Sequence, residues 1–137
     1  MDAMKVAETA VLYAARKRVD WSVQTSPWIH NILVNAKLKK HGLCYHWANG
    51  MWIDLSSVLP PEIKMTLIET RPRFCSLEHH VISLHHADKY WTEGIILDAW
   101  KGNGTLFHED FSLSRRSWQF ESSVPYYNVS LVPESHR

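Results

Sequence analysis

The sequence predicts an α+β fold in which helices come first and an antiparallel sheet follows. Two observations carry that expectation. From Met4 to Val58 apolar residues recur three or four positions apart, the period of amphipathic helices. Beyond Pro61 the period falls to two, and short apolar runs alternate with turn chemistry, as strands do. A third observation sets the scale: 137 residues, 45% of them hydrophobic and with seven Trp and four Phe, suffice for one core, so a single domain over 1–137 is expected.

The elements follow in order. Residues 3 to 18 place Met4, Ala7, Val11 and Ala14 at helical spacing, with Lys5, Glu8 and Arg16 to Arg18 for the wet side. Thr25-Ser26-Pro27 supplies a capping hydroxyl and a proline for the first turn of a second helix, which runs through Ile29, Leu33, Ala36 and Lys40 to Gly42. Trp47, Ala48, Met51, Leu55 and Val58 define a third helix that begins at or beside Cys44 and is stopped by Pro60-Pro61. Ile63, Met65 and Leu67 then alternate with Lys64 and Thr66, and Val81 to Leu84 and Ile95 to Leu97 are further strands. Lys101-Gly102-Asn103-Gly104 reads as a turn, with Thr105 to His108 as the returning arm of a hairpin. Trp118 to Glu121 and Tyr127 to Val132 read as edge strands or tail.

Charge and cysteine count narrow the function classes. Fifteen Lys and Arg against fourteen Asp and Glu leave a formal charge of +1, which gives no reason to expect nucleic acid or an anionic membrane surface as partner. No apolar run approaches the roughly 20 residues that span a bilayer, and no secretion signal is read at the start, so a cytoplasmic setting is the default expectation. Cys44 and Cys75 are too far apart for a Cys-x-x-Cys motif and too few for a disulfide scaffold, which points to free thiols. A disulfide between them would consume the more interesting of the two.

That interest comes from context. Gly42-Leu43-Cys44-Tyr45-His46-Trp47 sets a thiol at the head of a helix, where free N–H groups and the macrodipole favour the thiolate and offer part of an oxyanion hole. A buried cysteine packed beside Trp47 is the plain alternative. Glu78-His79-His80 stands at the mouth of an apolar strand, where a neutral imidazole can take a thiol proton and return it to a leaving group. Gly94-Ile95-Ile96-Leu97-Asp98 ends another strand in a carboxylate, the group that orients such an imidazole. Strand-end His and Asp are commonly solvated termini, but here three such pieces occur in the order Cys, His, Asp.

Gly-x-Cys-x-x-Trp opening a helix, Glu-His-His-Val-Ile-Ser-Leu, and Gly-Ile-Ile-Leu-Asp-Ala-Trp-Lys-Gly-Asn-Gly together resemble the signature blocks of the papain-like, NlpC/P60- and transglutaminase-related cysteine hydrolases, over about residues 42 to 108. The family block usually has proline where Ala99 stands; Asp98, Trp100, Lys101 and Gly102 keep the rest of the pattern. The resemblance implies a nucleophile-bearing helix packed on an antiparallel sheet and a Cys44–His79–Asp98 triad. That triad would hydrolyse or transfer peptide, amide or other acyl groups through an acyl-enzyme, with no cofactor. Only one of His79 and His80 can face a given partner, because neighbouring strand side chains point to opposite faces. Asp98 lies 19 positions after His79, the spacing of the resembling pattern, which favours His79 and leaves His80 as the alternative base. Family members add a polar oxyanion donor upstream of the cysteine; Asn35, Lys40 and His41 are the candidates. The resemblance also leaves signal-less secretion into other cells open for this chain beside the cytoplasmic default.

Two rivals remain. His79, His80, His85 and His86, with Cys75, Asp88 and His108, offer metal-ligating chemistry, but strand alternation splits the pairs between faces and no His-x-x-x-His helix motif occurs, so no metal site is assigned. A catalytically silent papain-like shell that binds protein through Trp28, Trp47, Trp52, Trp91 or Trp100 is the other. An unusually reactive thiol separates enzyme from binding module.

Overall fold

The structure is a computed structural model that describes residues 2–21, 44–70, 79–101 and 104–123. Within them are two α-helices, α1 (Asp2–Asp20) and α2 (Cys44–Ser56), and five strands: β1 (Ile63–Thr70), β2 (His79–His86), β3 (Ile95–Asp98), β4 (Phe107–Asp110) and β5 (Gln119–Ser122). All strand pairings are antiparallel, in the order β4-β3-β2-β1-β5. Short 3₁₀ turns at Trp91–Glu93 and Phe111–Leu113 flank β3 and β4. The architecture is α+β, as the change of hydrophobic period requires. The helix expected between Pro27 and Gly42, the segment Tyr127 to Val132, and Gly102-Asn103 lie outside the described residues.

The sheet is covered on both faces. On one, Met65, Leu67, Ile82 and Leu97 pack against Val6, Ala10, Tyr13 and Ala14 of α1 and Trp47, Ala48, Met51, Trp52 and Leu55 of α2. On the other, Ile68, Val81 and Ile96 are covered by Trp91, Phe111 and Trp118. That second cover explains why β1 departs from simple alternation. Thr66 and Ile68 are as buried as Met65 and Leu67, because side chains from the 3₁₀ segments and the approach to β5 shield the outer face.

Local detail corrects the expected boundaries. In α1 the buried stripe is Val6, Ala10, Tyr13 and Ala14, while Met4 and Val11 are exposed. Tyr13 decides this rotation, since its ring meets Trp47 edge-on at 6.4 Å and its hydroxyl donates to the His46 carbonyl at 3.5 Å. Burial first, and then the nearby Asp54 carboxylate, push the Tyr13 phenol far above its usual pKa, so it stays a donor. The helix bearing Cys44 stops at Ser56 rather than running through Val58. Ser56 Oγ returns to the Trp52 carbonyl at 2.6 Å and Ser57 Oγ to that of Asp54 at 2.9 Å, local bonds that compete with continuing the helix. The hairpin arm after β3 begins at Phe107, not Thr105. Its turn is closed by Gly104, whose φ of +92° suits glycine and whose N–H donates to the Ala99 carbonyl.

These contacts gather three chain segments at one end of the sheet. Arg18, near the close of α1, lies directly against Gly104 in the turn that follows Asp98. Trp21 packs on Trp47 at 4.8 Å, next to the head of α2. The end of α1, the head of α2, and the turn after β3 therefore sit together where β3 stops. The antiparallel register puts the start of β2 at that same end.

Candidate active site

Cys44 is the first residue of α2, as its sequence context suggests. The oxyanion candidates Asn35, Lys40 and His41, and the second thiol Cys75, lie outside the described residues.

His79 opens β2 and Asp98 closes β3, so antiparallel pairing brings them to the same end of neighbouring strands. Val81 is the residue across from Asp98 when the register is extended, which sets His79 diagonal to it on one face. The side chains meet: His79 Nε2–H donates to Asp98 Oδ2 at 2.6 Å, with both side chains about 5% exposed or less. The other oxygen, Oδ1, accepts the Lys101 backbone N–H at 2.9 Å. The turn after β3 thus fixes the carboxylate through one oxygen and leaves the other aimed at the imidazole. Because a carboxylate only accepts, Nε2 carries a proton and the neutral ring keeps its lone pair on Nδ1. Nδ1 is buried and has no hydrogen-bond partner among the described residues. The ring lies between two indoles, 4.8 Å from Trp100 and 6.0 Å from Trp118 by centroids. Trp118 is itself held by a 2.8 Å bond from Nε1–H to Ser114 Oγ.

Strand alternation sets His79 and Asp98 on the Ile68–Val81–Ile96 face and His80 on the face that α2 covers. The His79–Asp98 pair is at the rim, however, and its two indole neighbours come from opposite sides. Trp100 belongs to the helix-side core, and Trp118 to the other. His80 has its own acidic partners: Nδ1–H donates to Glu121 Oε2 at 2.9 Å, and Glu69 Oε2 is 3.9 Å away.

Among the described residues, His85, His86 and His108 do not converge with these. His85 is satisfied by main chain and neighbour, with Nδ1–H shared between the carbonyls of His86 and Lys89 and Nε2 meeting Thr66 Oγ1 at 2.9 Å. His86 pairs with Asp88 on the surface, and His108 is exposed. Among the described residues the His/Glu group that does converge, Glu69, His80 and Glu121, takes both carboxylates from positions that sequence reasoning did not single out. Glu121 fell inside an expected edge strand, but nothing in the sequence said which strand it would join. An apolar cavity of about 510 Å³ between α1 and the sheet is lined by Val6, Ala10, Leu84, Leu97 and Leu106; it lies toward the His85–His86 end, away from His79 and Asp98.

Chemically, the pair is a buried acceptor nitrogen backed by an oriented carboxylate, able to take a proton and hold the resulting imidazolium. Comparison of the chain with protein-family models, with curated proteins and with solved structures finds no match. No helix among the described residues is long and apolar enough to cross a membrane.

Proposed function

We propose that this protein is a papain-like cysteine hydrolase or acyl transferase acting on a peptide, amide or other acyl substrate, with Cys44 as nucleophile, His79 as general base and Asp98 as its orienting acid. The observation that carries the reading is the buried Nε2–Asp98 bond, which leaves the opposite ring nitrogen, Nδ1, with no hydrogen-bond partner among the described residues. Trp21 and Arg18 tie the α2 head and the turn after Asp98 to the same end of the sheet. Although strand alternation sets His79 on the face away from α2, the ring sits at the rim, where Trp100 from the helix-side core reaches it.

In the proposed reaction Nδ1 of His79 takes the Cys44 thiol proton as sulfur bonds to the substrate carbonyl carbon. The resulting oxyanion is met by N–H groups at the head of α2 and by a donor from Asn35 or His41. The imidazolium, held by Asp98, gives its proton to the leaving group as the acyl–nitrogen bond breaks. Water or an acceptor amine then attacks the thioester with His79 again as base, releasing product and restoring the thiol. Trp100 and Trp118 flank the ring and limit its freedom to turn. A cytoplasmic setting, where thiols stay reduced, is part of the proposal.

The test is the pH dependence of Cys44 alkylation by iodoacetamide in the unsubstituted protein and in His79→Ala, His80→Ala and Cys75→Ala. The expected result is selective reaction of Cys44 with an apparent pKa well below about 8.5, returned to ordinary behaviour by His79→Ala alone. Return by His80→Ala alone would move the base to the α2-facing histidine and overturn the His79 assignment. An ordinary thiol in every protein would overturn the hydrolase reading and favour a shell used for binding.

A further inference from the structure

Three strands contribute one side chain each to a second constellation that the proposed reaction does not use. Glu69 on β1 and His80 on β2 are directly opposed in the register. Glu121 comes from β5, and it sits at an irregularity. Leu67 pairs with Ser122 and Ile68 with Phe120, so Glu121 is the extra residue of a β-bulge. A bulge re-aims the side chain it carries, and here the Glu121 carboxylate is turned onto His80. The three side chains are largely withdrawn from solvent, His80 to 3%, Glu121 to 8% and Glu69 to 21% exposure.

We propose that Glu69, His80 and Glu121 form a binding site for one divalent transition-metal cation of the zinc class. One imidazole nitrogen and two carboxylates are a donor set for such ions, and their charges match a dication. The spacing fits as well. Ligand atoms about 2.1 Å from a tetrahedral ion stand about 3.4 Å from one another. His80 Nδ1 is 2.9 Å from one carboxylate and 3.9 Å from the other, and all three donor atoms lie within 4.8 Å of one another. The Nδ1 proton that now bridges to Glu121 leaves that nitrogen when the metal takes its lone pair, passing to Nε2 or to solvent. A three-residue set leaves a coordination position for water or a further ligand.

The site is tested by titrating Zn²⁺ into the full chain by calorimetry, with Co²⁺ absorption reporting the ligand geometry. Both are carried out in a Cys44→Ser/Cys75→Ser background so that thiolates do not compete. That background is inert as a hydrolase, which keeps this result separate from the proposed reaction. The expected outcome is one equivalent bound, weakened at least about tenfold by Glu121→Gln and by His80→Ala and unchanged by His86→Ala. Should His80→Ala fail to fold, Glu69→Gln, at the most exposed of the three positions, gives the same reading. Absence of saturable binding, or affinity in Glu121→Gln and Glu69→Gln equal to that of the Cys44→Ser/Cys75→Ser background, overturns the site.

Discussion

Asp98 concentrates the energetics of the candidate site in one side chain. Its two oxygens divide the work: Oδ1 is pinned by the Lys101 N–H, and Oδ2 receives His79. Removing it leaves two donors, the buried His79 Nε2–H and the Lys101 N–H, without their acceptor, at about 1–3 kcal/mol for each one left unsatisfied. Asp98→Ala is therefore expected to lower the urea midpoint strongly. Asp98→Asn, which can keep the Lys101 bond, costs less in stability, about 1–3 kcal/mol for a mismatched buried hydrogen bond. The Asn variant makes the sharper functional probe. An amide that turns its NH₂ toward Nε2 forces the proton to Nδ1, the nitrogen that must accept. Cys44 alkylation near neutral pH is expected to slow by one or more orders of magnitude while the fold, followed by circular dichroism, persists.

At the scale of elements, the short 3₁₀ turn Phe111–Leu113 shows how a segment with little intrinsic stability is held in place. Asp110 caps it, its carboxylate accepting from Ser112. The Ser112 hydroxyl, and after it the Ser112 backbone N–H, hold the Asp110 carboxyl below the usual carboxylate range. The sign of the linkage follows. A depressed folded-state pKa contributes stability that is present above the unfolded value of about 3.9 and is lost as pH falls through the folded one. A carboxyl-detected NMR titration is expected to show Asp110 ionising below about 3.9, and Ser112→Ala to return it toward that value. The turn matters beyond itself, because Phe111 helps cover Ile68, Val81 and Ile96, the same side of the sheet from which Trp118 approaches His79.

At the scale of the whole molecule, the contact between α1 and α2 holds the head of the Cys44 helix. Arg16 pairs with Asp54 across it, and Tyr13 lies so close to Gly50 that a β-carbon there would stand 2.1 Å from the phenol oxygen. Gly50→Ala thus sets two effects against each other. Helix propensity favours alanine by about 1 kcal/mol, and overpacking a filled core costs about 1–3 kcal/mol. The clash is expected to win, because Tyr13 is 1% exposed and its ring is fixed against Trp47. Thermal unfolding is expected to report net destabilisation by up to about 2 kcal/mol. Gly50→Ala/Tyr13→Phe, which removes the offending oxygen, is expected to recover part of it.

The change from helical to alternating period at Pro61 determined the α+β class, and the Gly-Cys, His-His and Leu-Asp contexts marked Cys44, His79 and Asp98 as residues worth locating. These are local properties, and local spacing carries them. The rotation of α1 was not local: Met4 and Val11 share a helical period with Ala7, but only the fit of Tyr13 against Trp47 and Gly50 selects the buried stripe. Nor could spacing within one strand say that both faces of the sheet would be covered, since the cover comes from Trp91, Phe111 and Trp118, far along the chain. The pairing of His79 with Asp98 followed from alternation once β2 and β3 were neighbours. The meeting of Glu69, His80 and Glu121 needed more: β5 had to cross the chain to pair with β1, and a bulge had to turn Glu121 inward. Sequence fixes the period and chemistry of each segment, because these depend on near neighbours. Which segments meet depends on burying all their apolar faces at once, a property that exists only in the folded chain.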